Sequence, residues 1–388
     1  MTCRIINSKI VSEGVITNNK KIYFKNGVIT KITDEELPYV REIDAQNQYV
    51  SPGFIDIHLH GAVDCDFMDA NANEIEKIAE YHFQHGTTTM FPTLLSSSYD
   101  SLLSALSNLK KVIKGYNTSA ELLGIHLEGP YFSKEQSGAQ NTDFITNPVK
   151  AEYAYILEKY GDIIARWSFA PELDGSMEFL QALTNNSVIP AIAHSNATYQ
   201  DVEAAYLNGC NLLTHFYSCM STVTRDHGHR KLGVIECGYL MKDMYVEVIA
   251  DGCHIPPELF RLIYQIKGSD RICLVTDAMR ATGSKNKKSV IGGVPCLIED
   301  GVAYLLDKSA FAGSVATTDR LVRFCCNEVG VSLCEAVKMV TEIPARVMGL
   351  KNKGLIREGY SAEFVIFDSN LTIHKVIGRH FSEINNAY

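Results

Sequence analysis

Eight short apolar runs recur through the middle of this chain, and each ends in polar residues of the kind that do chemistry. In order they are GFIDIHLHG from Gly53, TTTMFPTLL from Thr87, LLGIHLEGP from Leu122, IARWSFAPE from Ile164, VIPAIAHSN from Val188, NLLTHFYS from Asn211, YVEVIADGCH from Tyr245 and RICLVTDAM from Arg271. Their starts lie 23 to 42 residues apart, which leaves room for a helix or a loop each time. Continuous apolar strands alternating with helices imply a parallel sheet covered on both faces. Eight such units predict an α/β fold, a closed (β/α)8 TIM barrel, whose reactive groups gather at the C-terminal ends of the strands.

Helical spacing between the runs agrees. Glu74 to His85 carries Ile75, Ile78 and Ala79 on one face, and Leu102 to Ile113 carries Leu102, Leu103, Leu106, Leu109 and Ile113. Thr198 is a candidate N-cap, and Pro256 and Pro257 sit where a helix would start. The ends of the chain have another texture. Residues 1–52 alternate apolar positions (Ile5, Ile10, Ile22, Phe24, Val28, Ile32) around turns such as Asn26-Gly27, and similar alternation returns from Gly354 to Phe381. Neither end is long enough to bury a core alone. Residues 1–52 plus 350–388 therefore predict one small β-sandwich beside a barrel of 53–349, with a β-hairpin insertion near 290–308 after the eighth strand.

Composition narrows the partners. With 45 acidic against 36 basic side chains, the formal charge of −9 is the wrong sign for a nucleic-acid or anionic-membrane surface. Any anionic ligand needs a local basic pocket. The 11 cysteines are scattered without a CxxC pair, which suits reduced thiols. No segment approaches the roughly 18 unbroken apolar residues of a membrane span, and the N-terminus does not read as a secretory signal. The expectation is a soluble cytoplasmic protein.

The chemistry lies at the ends of the runs. His58 and His60 are two apart, so in a strand both imidazoles project from one face, as two ligands of one metal must. Glu128 ends the third run, His194 the fifth, His215 the sixth and Asp277 the eighth. Four imidazoles and two carboxylates at the strand ends of one barrel make a mono- or dinuclear metal site. His126 shares an apolar run with Glu128 and is expected to be packed or hydrogen-bonded. Asp56, two before His58, is expected to orient an imidazole or to act directly. His82 and His85 are expected away from the site.

The segments PGFIDIHLHG, HLEGPYF, AIAHSNATY, THFYSCM, DGCHIPP, VTDAM and FAGS, in that order and over nearly the whole chain, resemble the N-acetylglucosamine-6-phosphate deacetylases of the amidohydrolase superfamily. A glutamate within HLEGP, where many amidohydrolases use a carboxylated lysine, separates this branch from hydantoinases and dihydroorotases. The resemblance implies a metal-containing barrel with a small sandwich from both termini. It makes Glu128, His194 and His215 the ligands of a principal zinc or iron ion. His58 and His60, with Asp277, would hold a second, so one or two divalent metals are expected per subunit. Asp277 is the expected general base. His254 is placed on the substrate, and Ala139, Ser218, Cys219, Phe311, Ala312 and Gly313 match sugar-binding segments. Homodimers are common in the family.

Two departures stand out. Gln140 replaces a histidine, keeping a hydrogen-bond donor but no positive charge. Asp226 stands where a phosphate-binding arginine is expected, with Arg225, Arg230 and Lys231 nearby as substitutes. The expected reaction is removal of the acetyl group from an amino sugar, with N-acetylglucosamine 6-phosphate the leading substrate. Hydrolysis of a different amide and a non-catalytic paralogue are the alternatives.

Overall fold

The computed structural model describes residues 2–379 and 381; residues 1, 380 and 382–388, assigned from sequence to the sandwich, lie outside the described residues. All eight apolar runs contain a strand: β1 Phe54–Leu59, β2 Thr87–Leu95, β3 Ile125–Glu128, β4 Ile164–Phe169, β5 Ile189–Ile192, β6 Leu212–Leu213, β7 Tyr245–Val248 and β8 Ile272–Leu274. Each pairs in parallel with its successor, and the barrel closes just past β8 through a parallel bridge between Leu59 and Ala278. Two backbone bonds clasp that seam, His60 N–H to Ala278 O at 2.7 Å and Asp277 N–H to His58 O at 2.9 Å. The closure therefore fixes β1's histidines against Asp277.

A helix follows each strand: α1 Ala72–Gln84, α2 Tyr99–Gly115, α3 Lys150–Tyr160, α4 Ser176–Asn185, α5 Tyr199–Leu207, α6 Val234–Leu240, α7 Pro257–Lys267 and α8 Thr318–Phe324. Helix α1 starts before Glu74 because Asn71 caps it, its side chain accepting from the N–H of Asn73 and Glu74 while Glu74 reaches back to Asn71 N. Every residue of β1 and β2 is buried. That is the signature of a sheet covered on both faces, and the apolar face of each helix supplies the outer cover.

Both termini build the second unit. One sheet has the order Val28–Thr33, Lys21–Lys25, Thr2–Ile6, Arg41–Asp44; the other runs Ile373–Ile377, Phe364–Phe367, Tyr49–Pro52, Lys9–Ser12, Val15–Thr17. Cys3, Ile5, Ile22, Phe24, Val50, Phe364 and Ile366 form a core between them, separate from the barrel core. Near 290–308 the structure has three antiparallel strands, Lys288–Ile291, Val294–Glu299 and Val302–Leu305, where the sequence predicts a hairpin. The extra turn falls at Gly292-Gly293, both with positive φ, so the patch that looked like one arm is folded back on itself.

Candidate metal centre

The mouth of the barrel brings the six expected ligands together. His58 and His60 come from β1, Glu128 ends β3, and His194, His215 and Asp277 lie just beyond β5, β6 and β8. All six are buried. Their donor atoms form two groups, His58, His60 and Asp277 in one and Glu128, His194 and His215 in the other, each within 4.8 Å. Glu128 joins the groups. Its Oε1 lies 3.1 Å from His194 Nε2 and 3.0 Å from His215 Nε2. Its Oε2 lies 3.6 Å from His58 Nε2 and 3.4 Å from His60 Nε2. Asp277 Oδ1 is 3.0 Å from His60 Nε2 and 3.4 Å from His58 Nε2.

Hydrogen bonds on the far side of the rings decide what these nitrogens offer. His194 Nδ1 donates to Gln136 O at 2.8 Å, while Nδ1 of His60 faces Thr93 O at 3.3 Å and Nδ1 of His58 faces Glu247 Oε2 at 3.2 Å. A proton held on Nδ1 leaves a lone pair on Nε2. Lone pairs aimed at carboxylate oxygens repel them unless a cation lies between. His58 Nε2 is buried without a hydrogen-bond partner, which fits that reading, and imidazole nitrogens with carboxylate oxygens suit zinc or iron.

The field of the site says the same. Burial alone would raise the Glu128 carboxyl, but the nearby imidazoles of His58, His194 and His215 hold it well below the usual range. Burial would lower the His58 imidazole, yet Glu128 and Asp277 push it up to about 10. The mouth is a sink for positive charge. Its backbone is strained: His194, His215 and Asp277 have φ of 45°, 30° and 51°, a region such residues visit at a cost. The turn after Glu128 needs Gly129, with φ 97°, because a Cβ there would meet Ser96 Oγ at 2.3 Å.

A cavity of about 280 Å³ opens onto this centre. Of the residues expected on the substrate, Ala139, Gln140, Ser218, Cys219, His254, Phe311 and Gly313 line it, and Ala312 is fully buried behind them. Gln140 is anchored by its oxygen, which accepts from Ser96 N at 3.0 Å, leaving its NH2 without a protein partner among the described residues. His254 Nδ1 is tied to Asp251 at 2.8 Å. Arg225 and Arg230 are not brought to the cavity. They pair with each other in an exposed hairpin of Thr224–Asp226 and His229–Lys231, in which Asp226 engages His227 and Lys231. The described lining contains no lysine or arginine.

Other expectations are corrected or met locally. Asp56 does not touch an imidazole: it accepts from Thr276 Oγ1 at 2.5 Å and from the backbone N–H of His58 at 3.3 Å, so it pins β1 to the segment after β8. His126 is hydrogen-bonded to Ser168 Oγ at 2.7 Å and faces Thr93 Oγ1 at 3.1 Å. His82 is buried against Gly61 O, and His85 meets Asp319. Sequence reasoning missed Glu247 and Arg166, which pair beneath the centre with no exposure at all. The signal was available: a lone charge inside YVEVIA and another inside IARWSF are rarely buried without a partner. Tyr217, Leu95 and Ile291 also line the cavity unannounced.

A closed parallel barrel whose strand ends converge imidazoles and carboxylates on one cavity defines a metal-dependent barrel hydrolase. The sequence profile of the amidohydrolase family matches residues 49–387, and the chain belongs to that family. The N-acetylglucosamine-6-phosphate deacetylase of Lysinibacillus sphaericus is 32% identical over 385 residues, 98% of each chain. An N-acetylgalactosamine-6-phosphate deacetylase of Escherichia coli is 28% identical over 370 residues, 95% of this chain and 96% of its own. A crystal structure of the Pasteurella multocida N-acetylglucosamine-6-phosphate deacetylase superposes with a TM-score of 0.92 at 25% identity, covering 98% of both chains. The protein is thus an amidohydrolase enzyme similar to these deacetylases, and among the described residues no helix is long and apolar enough to cross a membrane.

Proposed function

We propose that the enzyme hydrolyses the acetamide of an N-acetyl amino sugar, with N-acetylglucosamine 6-phosphate giving glucosamine 6-phosphate and acetate as the leading reaction. The observation that carries this reading is Glu128, whose two oxygens each face a separate pair of imidazoles at the floor of a cavity with room for a sugar. The relatives' substrates support the choice of amide. Glu128, His194 and His215 would hold one zinc or iron ion, and His58, His60 and Asp277 a second. A divalent ion here supplies Lewis acidity, making water a better nucleophile near neutral pH and polarising the acetyl carbonyl.

The chain's own residues do the rest. Asp277 is the base: Oδ1 is fixed by His60, and its other oxygen accepts no hydrogen bond among the described residues. It takes a proton from the attacking water and passes it to the sugar nitrogen as the C–N bond breaks, so that an amine leaves rather than an amide anion. His254, held by Asp251, and the free NH2 of Gln140 are placed to bind the sugar and the acetyl oxygen. Ala139, Ser218, Cys219, Phe311 and Gly313 form its walls, with Ala312 buried behind them. A 6-phosphate would take its cation from Arg225, Arg230 or Lys231 of the second copy of a homodimer, since this chain's own described cavity lining holds no lysine or arginine. We place the enzyme in the cytoplasm, and read 53–349 as the catalytic unit and 1–52 plus 350–388 as the sandwich; the sandwich's own apolar core supports that division, with Val11, Val365, Phe367 and Leu371 packing onto the barrel core.

Acetate release should be compared across phosphorylated and plain N-acetylglucosamine, N-acetylgalactosamine and N-acetylmannosamine. A clear preference for a 6-phosphate is expected. Equal kcat/KM for the plain sugar would remove the phosphate from the account, and no acetate from any of them would remove the deacetylase reading.

A further inference from the structure

We propose that Glu247 is a positioning residue that sets the tautomer of His58 and thereby decides whether the His58, His60, Asp277 group can hold an ion; this rests on the two-ion reading above. Glu247 sits in β7 with no exposure, beneath the mouth. Its Oε2 lies 3.2 Å from His58 Nδ1 and accepts the backbone N–H of His215 at 3.2 Å. Its Oε1 pairs with the guanidinium of Arg166, itself fully buried. Arg166 also donates to Thr214 Oγ1 at 3.0 Å and to Ile57 O at 3.4 Å. One carboxylate thus ties β1, β4, β6 and β7 together directly below the ligands.

The chemistry follows from donor counting. A guanidinium only donates, so it needs an oxygen from residue 247. A carboxylate has a second oxygen left for His58, and that oxygen accepts only, so the His58 proton must sit on Nδ1. The Nε2 lone pair then points into the centre, where an ion can take it. With glutamine at 247 the arrangement inverts. Arg166 keeps the amide oxygen, the NH2 turns to His58 Nδ1, and the imidazole must put its proton on Nε2. In that tautomer His58 cannot ligate. Of the three ligands of the other ion only His215 touches residue 247, and it does so through its backbone N–H rather than its ring, so that ion should remain.

The test is ion stoichiometry and affinity, by elemental analysis and chelator competition, in the full-length wild type and Glu247→Gln. The wild type is expected to carry two ions. Glu247→Gln should keep one and bind the other about 10- to 100-fold more weakly, the usual cost of losing such a partner, while the unfolding temperature of the metal-free protein changes little. Two ions of unchanged affinity in Glu247→Gln would overturn the proposal. So would loss of both ions together, which is what general loosening of the mouth produces. A wild type holding one ion defeats the two-ion reading first and this proposal with it. Should the single variant not fold because Arg166 is left poorly paired, Arg166→Met/Glu247→Met replaces the ion pair with apolar side chains of similar size. It carries the same expectation, since neither side chain then fixes His58.

Discussion

The barrel mouth and the terminal sandwich solve opposite problems. In the sandwich, Cys3, Ile5, Ile22, Phe24, Val50 and Phe364 bury nothing but apolar surface against one another. Its positive-φ residues, Asn7, Glu13, Asn19, Asn26, Gln46, Asn47 and Leu371 among them, lie in the turns between its strands. The mouth buries four imidazoles and three carboxylates, counting Glu247, and puts His194, His215 and Asp277 in the same strained region. Strain of this kind costs on the order of 1–3 kcal/mol per residue and persists only where the surroundings enforce it. One unit stores stability; the other spends it to hold charge where a cation and a substrate can use it.

The largest effect that separates the two units should be Asp277→Asn. Turnover is expected to fall by about 10²- to 10⁴-fold, the range for losing a general base, with the ion of the Glu128 group still present by elemental analysis. A variant near the wild-type rate would show that the mouth's charge is structural after all. Phe24→Ala makes the reverse cut. It should lower stability by about 3–5 kcal/mol, as phenylalanine truncation in a tight core does, and leave kcat per folded molecule unchanged. Loss of kcat there would mean that the two units are mechanically coupled.

Acidity should tell them apart next. Burial pushes His82, which donates to Gly61 O beside the ligand His60, down to about 4 against its ordinary 6.5. The folded chain keeps it neutral, whereas the unfolded chain takes up a proton as soon as pH drops below about 6.5. Stability therefore falls between pH 6.5 and 4, by about 3 kcal/mol at about 1.4 per pH unit. His82→Gln keeps a donor for Gly61 and should flatten that slope in urea titrations; a slope unchanged from wild type would move the acid sensitivity elsewhere. The smallest effect is at Gln140. Gln140→Leu should lower kcat/KM about fivefold to tenfold, the worth of one neutral hydrogen bond, at unchanged ion content, and no change would take that amide off the substrate.

Much of this contrast is legible in the chain itself. The eight apolar runs announce the barrel because each strand is covered on both faces, and the six ligands are legible because the barrel puts every strand end at one place. What escaped depends on contacts between distant segments. β6 is only Leu212–Leu213 although its run continues to Ser218, because the chain curls at His215 and Tyr217, where φ turns positive. Asp56 looked like an imidazole's partner from its spacing, but the seam with Thr276 claims it. The partner of His58 lies 189 residues away at Glu247, a separation no local pattern reveals. The basic cluster from Arg225 to Lys231 reads as a pocket in sequence and folds as an exposed hairpin, since its two strands pair with each other.

The central claim is that charge gathered at the mouth exists to hold a metal that cleaves an acetamide. It is tested most directly by measuring acetate release from N-acetylglucosamine 6-phosphate before chelation, after removal of bound metal, and after adding back zinc or iron. The account predicts activity that disappears with the metal and returns with it, while the folded signal persists. Acetate released at the same rate by the metal-free enzyme would contradict it.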